Sequence, residues 1–94
     1  HDPEWRGHIF EAVVGAALAR QERGLFTWPQ KNFEVDFVVP RKDGPIAIEV
    51  KSGRRKQAAG LLKFMQSFPR ARSIVLTPES ALPLLRGASI ESMV

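Results

Sequence analysis

The sequence contains no cysteine among its 94 residues. This absence excludes a disulfide framework and a thiolate zinc site, and it agrees with a cytoplasmic protein. No apolar run approaches the roughly 20 residues that a membrane-spanning helix needs. The N-terminus also lacks the basic segment followed by an apolar stretch that is typical of a signal peptide. We therefore expect a cytoplasmic protein with no membrane partner.

The chain does not begin with methionine, and we expect it to be a piece of a longer protein. Its length is that of a single domain, residues 1–94. Apolar residues make up 44% and charged residues 26% of the sequence, which is typical of globular proteins. The net charge of +4 favours a polyanionic partner without establishing one.

Two helices are predicted from apolar residues at helical spacing. The first runs from about Glu4 to Arg23 and is stopped by Gly24. Its apolar stripe, which we expect to face the core, consists of Trp5, Ile9, Val13, Ala16 and Ala17. The second runs over about Arg54–Ser67, and its predicted apolar face consists of Ala58, Leu61, Leu62, Met65 and Phe68.

Four short strands are predicted from alternating or continuous apolar residues. They are Leu25–Trp28, Phe33–Val39, Pro45–Lys51 and Ser73–Leu76. The middle two form an antiparallel hairpin around the turn Arg41–Gly44. The helix before the last strand implies a parallel, right-handed crossover. An α/β fold is therefore expected, in which a small mixed sheet carries packed helices in the order α-β-β-β-α-β. After it, only a helical turn near Ala81–Leu85 and a tail are predicted.

The hairpin register that matches the most apolar residues carries a chemical consequence. Its apolar pairs are Val39–Ile46, Phe37–Ile48 and Val35–Val50. On the other face, Asp36 then lies directly opposite Glu49, with Cβ atoms about 4.5–5.5 Å apart. Two opposed carboxylates destabilise a sheet, and a divalent cation such as Mg²⁺ would remove that penalty by binding both.

Two further residues belong to this hypothesis. Lys51 shares the strand face of Glu49, where its charge could stabilise a phosphate undergoing attack. Alternatively, Lys51 forms a simple ion pair with Glu34 on an exposed strand face. Glu11 lies on the first helix with glycines one turn to either side, so it could approach the sheet and offer another carboxylate. Alternatively, Glu11 is an exposed glutamate with no role in the site.

Basic residues concentrate in the first turn of the second helix, at Arg54, Arg55 and Lys56. The helix dipole disfavours cations at this end. A bound phosphate would offset the unfavourable interaction, so these residues are candidates for a nucleic-acid contact. The alternative is a solvated basic turn.

The segments Gly7–Val14, Glu34–Val38 and Ile46–Gly53 resemble the PD-(D/E)XK nuclease superfamily. More narrowly, they resemble the C-terminal domain of unknown function that bacterial and archaeal AAA-type ATPases carry. The similarity extends from about Asp2 to Thr77. One departure is Pro29, at a position where this branch usually has an arginine.

The resemblance implies a set of roles for residues of this chain. Asp36, Glu49 and the Val50 backbone carbonyl would bind Mg²⁺, or alternatively Mn²⁺. Lys51 would assist catalysis, and Glu11 would complete both the metal site and the catalytic set. Gln57 resembles an accessory glutamine of resolvase-like members and joins the basic turn as a nucleic-acid contact.

The function that the resemblance implies is metal-dependent hydrolysis of DNA phosphodiesters by a nuclease or resolvase-like domain. The expected partners are DNA and an ATPase domain in cis in the full-length protein, and a homodimer is a further alternative. A different function stays open, in which the fold serves the ATPase as a non-catalytic module that binds nucleic acid or protein.

Overall fold

One four-stranded sheet with helices on both faces makes up the described part of the chain. The computed structural model describes residues 3–28, 34–51 and 59–94, with side chains from residue 6 onward. Its elements are α1 (Pro3–Gln21), β1 (Phe26–Trp28), β2 (Val35–Val39), β3 (Ile46–Val50), α2 (Ala59–Ser67), β4 (Arg72–Leu76), α3 (Leu82–Leu85) and a C-terminal 3-10 helix (Ile90–Met93). None of the described helices is long and apolar enough to cross a membrane.

The strands lie in the order β1-β2-β3-β4. β2 pairs antiparallel with both β1 and β3, whereas β3 and β4 are parallel and joined through α2. The predicted mixed sheet and the order α-β-β-β-α-β are therefore confirmed. β3 is an inner strand, and β1 and β4 form the two edges.

Two hydrophobic layers enclose the sheet. Side chains of β3 alternate between them, since Ile46 and Ile48 enter the first layer and Ala47 enters the second. The first layer joins the sheet to α1, α3 and the C-terminal helix, and its buried residues are Val14, Ala17, Leu18, Val39, Ile46, Ile48, Leu76, Ala81, Leu84 and Ile90. The second joins the sheet to α2, and its buried residues are Val35, Val38, Ala47, Leu61, Phe64 and Ala71.

The predicted buried stripe of α1 is largely wrong. Ile9 and Val13 are 43% and 44% exposed, and Ala16 is exposed as well. Ala17 is buried as predicted, but the helix otherwise buries Val14 and Leu18, which the predicted stripe did not include. A close approach at Gly15 accounts for this rotation, because a Cβ atom there would lie 2.8 Å from the Phe37 ring. Apolar residues surround most of α1, so spacing alone does not select the face that packs.

The predicted apolar face of α2 is also partly wrong. Leu62 is 67% exposed and Phe68 is 42% exposed, whereas Leu61 and Phe64 are buried. Phe64 meets the Trp28 ring edge-on, with ring centroids 4.9 Å apart. This aromatic contact orients α2 on the sheet. Ala58 and the predicted helix start at Arg54 lie outside the described residues.

The C-terminal segment, predicted only as a tail, is part of the core. Ile90 is fully buried, and the Gln21 side chain holds its backbone. The Gln21 amide donates to the Ala88 carbonyl and accepts from the Ile90 N–H, both at 3.0 Å. Long-range capping of this kind leaves no periodic signal in the sequence.

A cluster of four charged side chains joins the end of α1, the hairpin turn, β4 and the C-terminal helix. Arg41 binds Glu22 through two hydrogen bonds of 2.8 and 2.9 Å, and its Nε donates to Glu91 at 2.8 Å. Arg72 donates to the other Glu91 oxygen. The hydrogen bond from Arg72, together with that from Arg41, holds the pKa of Glu91 below its usual range.

Replacing Glu91 with an uncharged residue should make the free energy of unfolding depend less on pH in the acidic range. A carboxyl group whose pKa is lowered by folding stabilises the native state above its unfolded pKa, and the stabilisation is lost as the pH falls through the folded pKa. We therefore expect Glu91→Gln to lower the urea midpoint at pH 7 and to narrow the difference between wild type and variant below about pH 4. The control is Asp43→Asn in the exposed turn. A constant difference between Glu91→Gln and wild type from pH 7 to pH 3 would contradict this account.

Two glycines with positive φ provide a matched test of packing around the hairpin turn. Gly44 (φ 124°) and Gly87 (φ 103°) both disfavour a side chain, which costs about 1–3 kcal/mol. A Cβ atom at Gly44 would in addition lie 2.3 Å from the Arg70 carbonyl oxygen, whereas none of the atoms described around Gly87 comes within 4 Å. Gly44→Ala should therefore destabilise the fold clearly more than Gly87→Ala in urea unfolding. Equal losses would mean that the backbone at Arg70 moves aside.

Candidate functional site

A β-bulge lies in β2 at the position of the candidate aspartate. The β1–β2 pairs are Phe26–Val38 and Trp28–Val35, so Asp36 and Phe37 together lie opposite the single residue between the paired positions of β1. A bulge increases local twist and redirects a side chain, and bulges are frequent beside active sites. Neither glycine nor proline marks this bulge, so it could not be predicted from residue types alone.

The hairpin keeps the predicted register near its turn and departs from it at the opposite end. The β2–β3 ladder contains the pairs Val39–Ile46, Val38–Ala47 and Phe37–Ile48, as the predicted register requires. The predicted partner pairs Asp36–Glu49 and Val35–Val50 are not part of this ladder. Val35 packs with Val38 in the second hydrophobic layer, although regular alternation would place it on the face of Phe37. The regular pairing of β2 with β3 therefore ends at Phe37, the residue next to Asp36.

Asp36 replaces a backbone acceptor at this point. Its Oδ2 atom accepts a hydrogen bond from the Val50 N–H at 2.8 Å. In an antiparallel ladder, the N–H and C=O of one residue face the same neighbouring strand. The Val50 carbonyl is therefore expected to face β2 as well. Asp36 and the backbone of Val50 are in direct contact at the end of the hairpin.

Glu49 and Lys51 flank this contact. Glu49 is partly buried and is the first residue of β3 beyond the last ladder pair, as Asp36 is on β2. Lys51 is partly buried, and its N–H donates to the Leu76 carbonyl at 2.8 Å. The backbone that carries the candidate lysine is thus anchored to β4. Its side-chain role and the alternative pair with Glu34 both stay predictions.

Glu11 lies on α1 one turn before Gly15 and is partly buried. It shares the helix side of Val14 and Leu18, because residues three, four and seven positions apart lie together on a helix. Among the described residues, no three histidine, cysteine, aspartate or glutamate side chains form a group that could hold a metal ion. The participation of Glu11 beside Asp36 and Glu49 stays a prediction.

The predicted nucleic-acid contacts Arg54, Arg55, Lys56 and Gln57 lie outside the described residues, as does Pro29. Their proximity to Asp36 stays a prediction. Trp28, by contrast, is described, and it packs against Phe64 and Phe68. This tryptophan belongs to the second hydrophobic layer.

Comparison with known families adds one finding to this geometry. The family model described as Domain of unknown function (DUF4143) matches residues 6–94. The chain belongs to this family. The family description names neither a nuclease nor an ATPase. No curated protein and no solved structure matches the DUF4143 chain.

The contact between Asp36 and Val50 can be tested by separating its hydrogen bond from its charge. Asp36→Ala removes the acceptor of the Val50 N–H and should destabilise the fold by about 1–3 kcal/mol. Asp36→Asn keeps an acceptor oxygen and should lose less. Hydrogen exchange of the Val50 amide should accelerate in the alanine variant alone, with Glu34→Ala as a control on the exposed residue nearby. Unchanged Val50 exchange in Asp36→Ala would show that another group satisfies this amide.

Proposed function

We propose that this DUF4143 domain is a metal-dependent DNA nuclease or resolvase-like domain that hydrolyses phosphodiesters beside the ends of β2 and β3. The observation that supports it best is the 2.8 Å hydrogen bond from the Val50 N–H to Asp36. It joins the candidate carboxylate to the residue between Glu49 and Lys51. The resemblance of these segments to PD-(D/E)XK nucleases supplies the reaction class.

The donor groups suit a hard divalent cation. Asp36 and Glu49 offer carboxylate oxygens and Val50 offers a backbone carbonyl, and Mg²⁺ prefers oxygen ligands and usually retains several waters. An ionised carboxylate can accept bonds at both oxygens, so the bond to Val50 leaves Asp36 capacity for a cation. A bound cation would polarise a phosphoryl oxygen and facilitate deprotonation of water.

Protein side chains position the cation and stabilise the transition state in this proposal. Asp36 and Glu49 position the cation-binding oxygens on adjacent strands. Lys51 contributes positive charge where the attacked phosphate gains negative charge, which is an effective form of transition-state stabilisation. Because the backbone of Lys51 is hydrogen-bonded to β4, its side chain starts from a fixed point and has fewer positions to sample.

The proposal extends to partners. The net charge of +4 is compatible with DNA, whose phosphates attract basic surfaces. Arg54, Arg55, Lys56 and Gln57 are the residues that we assign to backbone contacts with DNA. An ATPase domain in cis, as in the AAA-type proteins that the sequence resembles, would couple this domain to ATP hydrolysis.

Lys51→Ala tests the catalytic role. Loss of one charge-stabilising group typically lowers the rate by about 10²–10³-fold, so single-turnover cleavage should fall by that factor. Mg²⁺ affinity and the thermal midpoint should stay close to wild type. The substrates are branched, duplex and single-stranded DNA with Mg²⁺ or Mn²⁺, and the matched control is Lys42→Ala in the exposed turn.

The opposite pattern identifies a structural lysine. If Lys51 only pairs with Glu34, its removal should lower stability by at most about 1 kcal/mol and leave any cleavage unchanged. A wild-type chain that cleaves none of these substrates with either metal, yet binds DNA equally well with and without Lys51, would contradict the nuclease proposal. That result would favour a non-catalytic binding module.

A further inference from the structure

The two edges of the sheet differ in their capacity to pair with another strand. β1 is three residues long, and its pairing with β2 is interrupted by the bulge. Short and bulged edge strands resist further pairing. β4 is five residues long and keeps an uninterrupted register with β3 along its whole length. β4 is therefore the more regular of the two edges and the better suited to pair with another strand.

The backbone of β4 presents hydrogen-bonding groups to this edge. The Arg72 N–H donates to the Pro45 carbonyl at 3.0 Å, so the groups of Arg72 face β3. Successive residues of a strand turn their backbone groups to opposite sides, and Ser73 and Val75 therefore direct theirs outward. Within the described part of the chain, no hydrogen bond engages these outward groups of either residue.

The side chains of this edge do not protect it. Edge strands are commonly blunted by lysine, proline or an inward-pointing charge, but the centre of β4 reads Ser73-Ile74-Val75. Ser73 is exposed, and Val75 is 36% exposed. An ordered edge with open backbone groups, whose centre is uncharged and partly apolar, is suited to strand addition.

We propose that β4 pairs antiparallel with β4 of a second copy of the chain, around a two-fold axis at Ile74. Ser73 of each copy then lies opposite Val75 of the other, and the outward N–H and C=O groups of both residues all find partners. The two Ile74 side chains meet in the pair at the axis. The same patch serves both copies, as a closed two-fold interface requires.

Charges at the two ends of β4 favour a second copy over an unrelated strand. Arg70 precedes the strand and Glu79 follows it, and both are exposed. Neither forms an ion pair within the described residues. Antiparallel pairing brings Arg70 of one copy near Glu79 of the other at both ends of the interface. This complementarity does not depend on the proposed nuclease function.

Concentration-dependent hydrogen exchange, measured beside sedimentation equilibrium, tests this interface directly. We expect the wild-type chain to dimerise, and the amides of Ser73 and Val75 to become protected as the protein concentration rises. The Arg72 amide, bonded to Pro45 within one copy, should be protected at every concentration. A chain that stays monomeric up to millimolar concentration, with Ser73 and Val75 unprotected, would overturn the proposal.

Val75→Pro is the sharpest disruptive variant, because it deletes an outward N–H and leaves the bonds to β3 in place. It should make the chain monomeric at concentrations where wild type is dimeric, with the circular dichroism spectrum unchanged. The control is Val13→Asp on the exposed side of α1, which should leave dimerisation unchanged. A dimer that is dissolved by Val13→Asp and resists Val75→Pro would overturn the proposal in favour of α1.

Charge reversal provides a second test that does not depend on tolerance of proline. Arg70→Glu and Glu79→Arg should each weaken dimerisation by roughly tenfold. The double variant restores opposite charges between copies and should recover most of the wild-type affinity. Additive weakening in the double variant would contradict the antiparallel arrangement.

Discussion

Burial of β3 on both faces and hydrogen bonding along both of its sides constrain the rest of the fold. Ile46, Ala47 and Ile48 are fully buried, with the isoleucines in one hydrophobic layer and the alanine in the other. A shift of one residue in register would exchange these side chains between layers. The large residues would then meet the helix that now packs on alanine. The position of Glu49, Val50 and Lys51 at the end of β3 follows from this constraint.

The candidate site lies at the end of the regular pairing between β2 and β3. Pairing of β2 with β3 is regular as far as Phe37 and Ile48, and the bulge then directs the Asp36 carboxylate to the Val50 N–H. A carboxylate that takes the place of a backbone acceptor is held by the sheet itself. In the proposed nuclease, this contact would orient Asp36 before any cation binds, and such preorganisation lowers the reorganisation needed during reaction.

Most of the sheet could be predicted because Ile46, Ile48, Phe37 and Val39 alternate with clear periodicity. The bulge could not, since it places Val35 in the second hydrophobic layer beside Val38 and Trp28, whereas regular alternation would place Val35 on the face of Phe37. The packed face of α1 was also undetermined by sequence, because apolar residues surround that helix.

The C-terminal segment shows the same limit in another form. Ile90 is fixed by Gln21, 69 positions earlier in the chain, and Glu91 by arginines of the hairpin turn and β4. These polar contacts have no sequence period. Recognition of the carboxylates and Lys51 as candidates, by contrast, required only the hairpin register and the resemblance of short segments.

In the proposed nuclease, Asp36, Glu49 and the Val50 carbonyl would bind a divalent cation. Paramagnetic broadening of backbone amide resonances during a Mn²⁺ titration tests it most directly, because the broadening falls steeply with distance from the ion. We expect the amides of Asp36, Val50 and Lys51 to broaden first, and we expect Asp36→Asn together with Glu49→Gln to abolish the effect. Broadening centred on Glu79 or Glu91, or unchanged in that double variant, would contradict it.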